Sequence, residues 1–392
     1  MSRLEELIQQ HCPDGVEYKQ LGDVCLMERG TSATKGTLQE GDIPVISGGR
    51  QPAFYCCKSN RDGETITVAG SGAGAGYVQY WDKPIFVCDA FSIKGKDCLN
   101  TKYIYYYLTS IQEKIYATKK GGGVPHVHIS SIDKFVIPVP PLPVQEEIVR
   151  ILDNFAELQA ELQAELQKRL QQYNYYRDKL LTFNDLNGGG YAVSVEWKKL
   201  GDIATLIRGG NFQKKDFTDS GVPCIHYGQI YTHFGIHTTS TLKYISPDVA
   251  SKSKIAKTND IVMAITSENV EDVGKCVAWL GDEDIAVSGH TAIIQHKQNA
   301  KYLSYYFHSS HFFTQKKRLA HGTKVIEISP KDLANVVIPI PPLAEQQRIV
   351  DILDRFHALT TDITAGLPAE IEARRKQYEY YRDELLTFKQ KA

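Results

Sequence analysis

Acidic residues near the N-terminus have the composition of a metal-dependent nuclease site. Pro13-Asp14 precedes Glu17-Tyr18-Lys19, and carboxylates beside a lysine can hold a divalent metal ion next to a phosphodiester. The spacing is too short to place these carboxylates on two different strands. The later copy, Val195-Glu196-Trp197-Lys198, has no Pro-Asp before it. We therefore interpret the motif as a strand start with alternating charges and predict no catalytic residue.

A glycine-rich segment at residues 70–76 invites comparison with the cofactor loop of a methyltransferase. Such a loop joins a strand to a helix, and no helical pattern follows this segment. Each Pro-Pro pair of the chain follows valine or isoleucine, whereas the catalytic tetrapeptide of an amino-methyltransferase begins with an acid or an amide. We interpret residues 70–76 as a hairpin or as a loop placed close to a DNA backbone.

His126-Val127-His128 could supply two ligands to a metal ion, but no third ligand stands out in the sequence. Contact with solvent or with phosphate groups is the preferred interpretation. The eight cysteines include no CxxC pair, which argues against a structural zinc ion of the usual kind. The sequence therefore predicts no metal site.

The overall composition indicates a globular protein of two or three domains. The chain has 392 residues, of which 42% are apolar and 23% charged, and its net charge is −1. A balanced charge does not by itself suggest nucleic-acid binding, which usually shows as a basic excess. No secretory segment and no apolar run near the ~18 residues of a membrane span are recognised. With free cysteines, these features predict a cytoplasmic protein without membrane contact.

The elements that would position any functional residue are present twice, because the chain is a tandem duplication of a unit of about 200 residues. Thirteen of twenty positions are identical between VIPVPPLPVQEEIVRILDNF (136–155) and VIPIPPLAEQQRIVDILDRF (337–356), at an offset of 201. The segments YNYYRDKLLTF (173–183) and YEYYRDELLTF (378–388) also match, as do residues 16–30 and 195–209. The middle of each unit differs, which is the pattern of a fixed frame that carries two different binding regions.

Short runs rich in Gly, Tyr, Val and Ile predict strands over residues 16–135 and 191–336. One short helix is predicted in each half, at 101–116 and 300–319, and each is followed by a glycine-bearing loop. The Pro-rich blocks at 138–143 and 339–342 cannot lie inside a helix. They are predicted to be the extended exit from each globular part into a long helix.

After each Pro-rich block, apolar residues recur with a mean spacing of 3.5, the period of a coiled coil. The first helix is predicted to have about 36 residues and a length of about 54 Å. A break is expected at Gly366-Leu367-Pro368, with Pro368 in the first turn of the next helical segment. The two helices are expected to pair, antiparallel if the halves are related by a pseudo-two-fold axis. The alternative is that each helix packs only on its own globular part.

The predicted fold class is therefore α+β, as a tandem duplication of a β-rich globular domain followed by a long helix. The predicted segments are 1–143 (first domain), 144–183 (central helix), 184–190 (linker), 191–342 (second domain) and 343–392 (C-terminal helix). The side chains expected to pack between the helices are Leu158, Leu162, Leu166, Ile363, Leu367 and Ile371.

These blocks, together with three copies of Ala-Glu-Leu-Gln at 156–167, resemble the specificity subunit of type I restriction–modification enzymes. The resemblance covers essentially the whole chain and is closest to the subgroup with tetrapeptide repeats in the central helix. It implies a non-catalytic subunit whose two domains each read one half of a bipartite, asymmetric site in double-stranded DNA. A DNA-binding or scaffold module of another defence complex is the alternative.

The same resemblance implies the partners and their cofactors. Two adenine-N6 methyltransferase subunits, which carry S-adenosylmethionine and flip the target base, would dock on the helical frame. Restriction and translocase subunits that use ATP and Mg would complete the nuclease. No cofactor is expected in this chain.

Candidate DNA contacts are the polar and basic residues of the variable middles, since Lys, Arg, Ser and Thr suit phosphates and Arg, Lys, Asn and Gln suit base edges. In the first half the candidates are Arg29, Lys35, Arg50, Gln51, Ser71, Lys119, Lys120 and His126. In the second half they are Arg208, Lys214, Lys215, Tyr227, Gln229, Ser267, Asn269, His290, Lys316, Lys317, Arg318 and Lys324.

The charge is unevenly distributed along the chain. Residues 144–183 carry a net charge of −2 and residues 343–388 a net charge of −3, so the remaining residues carry +4. The acidic helices suit protein partners, and the recognition domains are only locally basic. We expect the isolated chain to bind DNA weakly and with strong salt dependence.

Overall fold

The chain divides into two compact units in the computed structural model, which describes residues 2–97, 99–183, 195–361 and 365–391. Unit 1 comprises residues 1–164 and 370–392, and unit 2 comprises residues 165–369. The predicted linker (184–190) and Ile363 lie outside the described residues. Each unit combines small sheets with parts of long helices, which confirms the predicted α+β class and its duplication.

Unit 1 contains three sheets that precede the first long helix. Its elements are α1 (Arg3–His11), β1 (Glu17–Gln20), α2 (Leu21–Val24), β2 (Cys25–Arg29), β3 (Ile43–Ile46), β4 (Phe54–Cys56), β5 (Glu64–Ala69), β6 (Val78–Asp82), β7 (Phe86–Val87), β8 (Ala90–Gly95), α3 (Thr101–Ser110), α4 (Gln112–Ala117), α5 (Ile129–Ile132), β9 (Val136–Val139) and the start of α6 (Leu142–Thr182). The strand orders are β2-β8-β5-β6, β4-β3-β7 and β1-β9. Helix α3 packs on the four-stranded sheet, and Ile66, Ile93 and Tyr103 are buried there.

Unit 2 has the same plan with longer sheets. Its elements are β10 (Glu196–Lys199), α7 (Leu200–Ile203), β11 (Ala204–Arg208), a 3-10 helix (Lys214–Asp216), β12 (Phe217–Thr218), β13 (Val222–Ile225), α8 (Tyr227–Thr232), β14 (His237–Thr238), β15 (Lys243–Ile245), α9 (Pro247–Ala250), β16 (Lys254–Ala256), β17 (Ile261–Ala264), β18 (Thr266–Ser267), β19 (Cys276–Trp279), β20 (Ile285–Val287), β21 (Thr291–His296), α10 (Ala300–Phe307), α11 (Ser310–Leu319), β22 (Ile326–Glu327), α12 (Pro330–Leu333), β23 (Val337–Ile340), α13 (Leu343–Thr361) and the start of α14 (Leu367–Leu385). The strand orders are β11-β21-β17-β19-β14, β12-β15-β13-β20-β16, β18-β22 and β10-β23. Helix α10 packs on β19 and β17 over the main core.

The first and last strands of each globular part pair with each other. Glu17 of β1 lies opposite Val139 of β9, and Glu196 of β10 lies opposite Ile340 of β23. The nuclease-like motif is therefore a strand, as predicted, and its Glu17 carboxylate forms an ion pair with the Lys19 ammonium at 2.8 Å. The Pro-rich blocks provide the return strand of this ladder.

A buried glutamine fastens each globular part to its long helix. The Gln145 side chain donates to the carbonyl of Pro140 (2.6 Å) and accepts from the backbone N–H of Asn100 (2.8 Å), the residue that caps α3. In the second copy, Gln346 makes the equivalent contacts at 2.9 and 3.0 Å. Each glutamine thus satisfies one buried and one half-buried backbone group at the point where the chain changes from strand to helix.

A half-buried carboxylate network repeats the same connection about two turns further along. Asp153 of α6 accepts hydrogen bonds from Lys102 (2.8 Å) and from the Tyr106 hydroxyl. Asp354 of α13 accepts from the corresponding lysine and tyrosine, each at 2.7 Å. Burial and this hydrogen bond raise the pKa of the Tyr106 hydroxyl. The most similar block of the duplication is therefore the junction that orients each globular part on its helix.

The long helices confirm the coiled-coil interpretation. Helix α6 has 41 residues, which corresponds to roughly 60 Å. It starts at Leu142, inside the Pro-rich block, because proline is accepted in the first turn. Helix α14 starts at Leu367 with Pro368 in its first turn, as predicted. The aromatic contacts between long helices are Phe155–Tyr378 (6.4 Å) and Phe155–Tyr381 (5.8 Å) in unit 1, and Tyr173–His357 (6.1 Å) and Tyr176–Phe356 (5.6 Å) in unit 2.

Within unit 1 the contacts move backwards along α14 as the α6 residue number rises, from Tyr381 opposite Phe155 to Arg374 opposite Gln159. The two segments are therefore antiparallel there. The prediction for Leu158 is corrected, because this side chain is 50% exposed. A leucine every four residues advances about 40° around the helix with each repeat, so the repeat cannot keep all of its leucines on one face. The remaining predicted packing residues are half-buried: Leu162, Leu166, Leu367 and Ile371.

The predicted single short helix of each half is in fact a pair. Residues 101–116 fall into α3 and α4, with Ile111 between them, and residues 300–319 fall into α10 and α11. In the second half the Ser309 hydroxyl accepts from the N–H of Phe312 and starts a new helix. The capping competes locally with continuation of the first helix. The glycine-bearing loops follow as predicted.

Candidate nucleic-acid interface

The two units share one backbone arrangement, in which a loop meets the ends of two strands. In unit 1 the loop covers residues 119–128. The N–H of Val127 donates to the carbonyl of Gly70, and the N–H of Gly70 donates to the carbonyl of Asp89, each at 3.0 Å. Arg29, at the end of β2, is paired with Phe91, two residues after Asp89.

The same ladder is present in unit 2, at residues 320–329. The N–H of Ile328 donates to the carbonyl of Ile265 (2.9 Å), whose own N–H donates to the carbonyl of His290 (3.0 Å). Arg208, at the end of β11, is paired with Ala292, two residues after His290. The loop and β21 lie 201 residues after the loop and β8 of unit 1. The duplication therefore extends into the region where the sequences differ.

Glycines in both copies permit this close arrangement. The loops turn at Gly121 (φ +105°) and at Gly322 (φ +110°), a conformation that other residues rarely adopt. Gly30 and Gly209 follow the two arginines. Each lies so close to the segment before the paired strand, β8 or β21, that a Cβ would collide with a backbone carbonyl oxygen of that segment. The backbone is therefore fixed alike in the two units, and only the side chains differ.

In unit 1 these side chains form site 1, defined as Arg29, Ser71, Asp89, His126 and His128. The Ser71 hydroxyl donates to the Asp89 carboxylate. The Arg29 guanidinium lies 3.3 Å from Nδ1 of His128, and the rings of His126 and His128 are stacked with centroids 6.0 Å apart. A cleft of about 310 Å³ is lined by the site 1 residues Arg29, Asp89, His126 and His128. It presents basic groups and one carboxylate to the surface.

In unit 2 the equivalent side chains form site 2, defined as Arg208, Thr266, His290 and Glu327. The Arg208 guanidinium forms an ion pair with Glu327 at 3.0 Å and donates to the carbonyl of Gly289 at 3.3 Å. The hydroxyl of Thr266 lies 3.1 Å from Nδ1 of His290. Tyr227 packs on His290 with ring centroids 5.0 Å apart. Thr266, His290 and Tyr227 line a cleft of about 410 Å³.

Some of the other candidates lie around these clefts. In unit 1 the loop with Arg50 and Gln51 approaches the glycine-rich segment, where Gly48 lies against the Ser71 backbone and the Gly74 backbone. The Arg50 guanidinium lies 4.9 Å from the Tyr77 ring centre. The glycine-rich segment therefore lies against the backbone of a neighbouring loop, and its proximity to a DNA backbone stays a prediction.

Lys119 lies over the Tyr116 ring at 4.1 Å, and Lys120 pairs with His126 across the base of the loop. Lys35 is exposed in the segment between β2 and β3. Among the residues that the structure describes, Lys35 makes no contact with site 1.

In unit 2 the candidates fall into two groups. Ser267 and Asn269 line the cleft of site 2, and Asn269 bonds to Asp272 at 2.9 Å. Lys214 approaches Gly228 at the start of α8, whereas Lys215 lines a different cleft. Lys317, Arg318 and Lys324 are exposed on α11 and on the following loop.

Two candidates are corrected because they lie inside the fold. Lys316 is 5% exposed, and its ammonium donates to the carbonyls of Glu271 (2.8 Å) and Val273 (2.6 Å). Burial lowers the pKa of Lys316 to about 8. Gln229 is 9% exposed, and its side-chain oxygen accepts from the N–H of His226 at 2.8 Å. A run of basic residues on a helix surface does not reveal which of them faces the core.

Four residues of the two sites were not among the candidates: Asp89, His128, Thr266 and Glu327. The 201-residue offset of the duplication could have identified some of them. When the offset of 201 is carried past the similar block, His126 aligns with Glu327 and Asp89 aligns with His290. The sequences around them differ too much to suggest the alignment without the strand registers.

Neither site has the donors of a metal centre. Among residues 2–97, 99–183, 195–361 and 365–391, no group of three or more His, Cys, Asp or Glu side chains could hold a metal ion. Within the same residues, the helices are too short or too polar to traverse a bilayer.

Comparison with known proteins agrees with the duplicated architecture. The family model described as "Type I restriction modification DNA specificity domain" matches residues 13–172 and 193–373. The chain is 32% identical to the type I restriction enzyme EcoR124I/EcoR124II specificity subunit of Escherichia coli, an alignment that covers 99% of this chain and 97% of the relative. It is 30% identical to a putative type I restriction enzyme specificity subunit of Haemophilus influenzae, with 95% and 96% covered.

Solved structures show the same fold at low identity. A chain from a study of complex assembly and conformational transition in a type I restriction–modification system has a TM-score of 0.60 at 19% identity, with 95% of this chain and 97% of that chain covered. The specificity subunit from M. genitalium has a TM-score of 0.52 at 16% identity, with 95% of both chains covered.

Proposed function

Because this chain belongs to the family of type I restriction–modification DNA specificity subunits, we propose that unit 1 and unit 2 each read one half of a bipartite DNA site. The observation that carries the proposal is the repeated backbone of site 1 and site 2 with unlike side chains. A common frame that presents different hydrogen-bonding groups suits two different half-sites. A fused pair of readers need not recognise a palindrome, unlike a symmetric dimer.

In the proposed readout, different residue types contact different parts of the DNA. Exposed basic side chains such as Lys120, Arg50 and Lys324 contact phosphates and set the position of the duplex. The side chains of sites 1 and 2 contact base edges in the major groove, where each base pair has a distinct pattern of donors and acceptors. Lys316 and Gln229 are left out of the proposed interface because they are buried.

The long helices are proposed to hold the two readers at a set distance. Half-sites one helical turn apart are about 34 Å from each other, and a helix of roughly 60 Å can span that distance. The three AELQ copies lie wholly within α6. A change in copy number would lengthen or shorten the helix by about 6 Å per copy.

The chain is proposed to carry no chemistry of its own. Two methyltransferase subunits would supply S-adenosylmethionine, and restriction subunits would supply the ATP- and Mg-dependent cleavage. The family match supports a DNA-recognition subunit of such an assembly, and the E. coli relative is likewise described as a specificity subunit. A scaffold in an unrelated defence complex is not favoured, because the match covers both halves of the chain.

The modified bases of the host genome test the proposal. We expect N6-methyladenine in one bipartite motif, its loss when the gene is deleted, and its return when the gene is restored. A strain that expresses the complete complex but shows no methylation that depends on this gene would contradict the proposed function.

A further inference from the structure

Asp89 and His290 occupy equivalent positions in the two units. Each is followed directly by the strand that pairs with β2 or β11, and each carbonyl accepts a 3.0 Å hydrogen bond from the residue to which the loop is bonded, Gly70 or Ile265. Both side chains are exposed at the mouth of their clefts. The shared backbone therefore places two chemically different side chains, a carboxylate and an imidazole, at equivalent positions of the two units.

Asp89 presents only acceptors when it is ionised. The Ser71 hydroxyl donates to one of its oxygens, and a carboxylate retains further lone pairs for a second donor. In the major groove the groups that donate are the amino group of adenine, N6, and that of cytosine, N4. The carboxylate of Asp89 is thus suited to an amino group of adenine or cytosine.

His290 presents a donor. Thr266 is buried, and the recorded partner of its hydroxyl is Nδ1 of His290 at 3.1 Å. A buried hydroxyl needs an acceptor for its proton, and on this ground we assign Nδ1 as the acceptor and place the ring proton on Nε2. The N–H of Nε2 matches the acceptors O6 and N7 of guanine, the base that offers two acceptors in the major groove, whereas adenine and thymine offer one each.

The charges around the two positions agree with this difference. In unit 2, Arg208 is held by Glu327 at 3.0 Å. The residue equivalent to Glu327 is His126, and no carboxylate in the described part of the chain lies within ion-pair distance of Arg29. A carboxylate brought close to DNA phosphates needs a nearby cation, and Arg29 supplies one only in the unit that contains Asp89.

We infer that Asp89 and His290 determine which base each unit accepts at one position of its half-site: Asp89 selects adenine or cytosine through the amino group, and His290 selects guanine. This inference rests on the proposed function and adds to it the reading residues and the base chemistry. Ser71 and Thr266 act as positioning residues, because they hold the acceptor and the donor in place.

The test replaces each side chain by its counterpart in the chromosomal gene, so that the native complex is used. For Asp89→His we expect one position of one half-site to change its preferred base, with the other half-site unaltered. For His290→Asp we expect a change at one position of the other half-site. Since one good base contact contributes about 1–3 kcal/mol, the preference should shift roughly tenfold to a hundredfold in a duplex competition assay. Genome-wide mapping of N6-methyladenine reads both motifs.

Asp42→His is the matched control, since Asp42 is an exposed carboxylate of unit 1 that lies before β3 and outside site 1; it should leave both motifs unchanged. Asp89→Asn keeps the shape of the side chain, and we expect it to relax the same position instead of switching it. Unaltered motifs in Asp89→His, Asp89→Asn and His290→Asp, with the wild-type motif present, would overturn the inference and leave the proposed function standing. If a folded Asp89→Asn protein loses methylation at every site alike, the pair is structural and the inference also fails. Absence of a bipartite motif in the wild type would refute both.

Discussion

Lys316 allows a sharp test of whether a basic residue stabilises the fold or contacts DNA. Its ammonium is buried against the carbonyls of Glu271 and Val273, and burial lowers its pKa from 10.5 to about 8. The unfolded chain therefore binds more protons at Lys316 than the folded chain does between pH 8 and 10.5. The free energy of unfolding should rise with pH across this window.

The magnitude follows from the two pKa values. One pKa unit corresponds to about 1.4 kcal/mol, so titration of Lys316 adds about 2 kcal/mol to the unfolding free energy between pH 7 and pH 9.5. In Lys316→Met this contribution should disappear. The variant also leaves the buried carbonyl of Val273 without a donor, which costs about 1–3 kcal/mol.

Urea unfolding of the full chain, followed by tryptophan fluorescence, measures both effects, since Trp279 is buried in the same unit. The exposed neighbour Lys317 on α11 provides the control, and Lys317→Met should keep the wild-type pH dependence. If Lys316→Met and the wild type gain the same stability between pH 7 and 9.5, the reasoning about the buried ammonium is wrong. A changed methylation motif in Lys316→Met would show that this lysine does contact DNA.

Three further predictions concern the junction, the spacer and the charge. Gln346→Leu should destabilise the folded chain by about 2–4 kcal/mol in urea unfolding, because it removes the partners of the buried Pro341 carbonyl and of the half-buried Asn299 N–H. Gln347→Leu at the exposed next position should cost less than ~0.5 kcal/mol, and equal losses would contradict the junction's role. Deletion of one AELQ unit should shorten the unread gap by about one or two base pairs, from the ~6 Å rise lost, while both half-sites stay the same, and methylation mapping that returns an unaltered gap would refute the spacer hypothesis. The isolated chain should bind its site weakly and lose affinity steeply as salt rises from 50 to 200 mM; tight binding at physiological salt in a filter or fluorescence assay would disagree with the near-neutral charge balance.

The frame of this protein could be predicted from the sequence, because its signals are local and occur twice. The 3.5-residue spacing of apolar side chains predicted α6, and Gly366 with Pro368 predicted the start of α14. A helix is determined mainly by residues three and four positions apart, so a single sequence contains its signal. The exit strands at 136–139 and 337–340 followed from the Pro-rich blocks by the same kind of local reasoning.

Only the tertiary structure shows which residues form site 1 and site 2. Ser71 meets Asp89 across 18 residues, and Thr266 meets His290 across 24, because separate strands end beside one loop. Lys316 and Lys317 are neighbours in a basic run, yet the rotation of about 100° between consecutive helix residues puts the first in the core and the second in solvent. The sequence by itself established a duplicated chain with two reading domains on long helices. Only the strand registers showed which side chains occupy equivalent places, because such contacts depend on the path of the chain between distant residues.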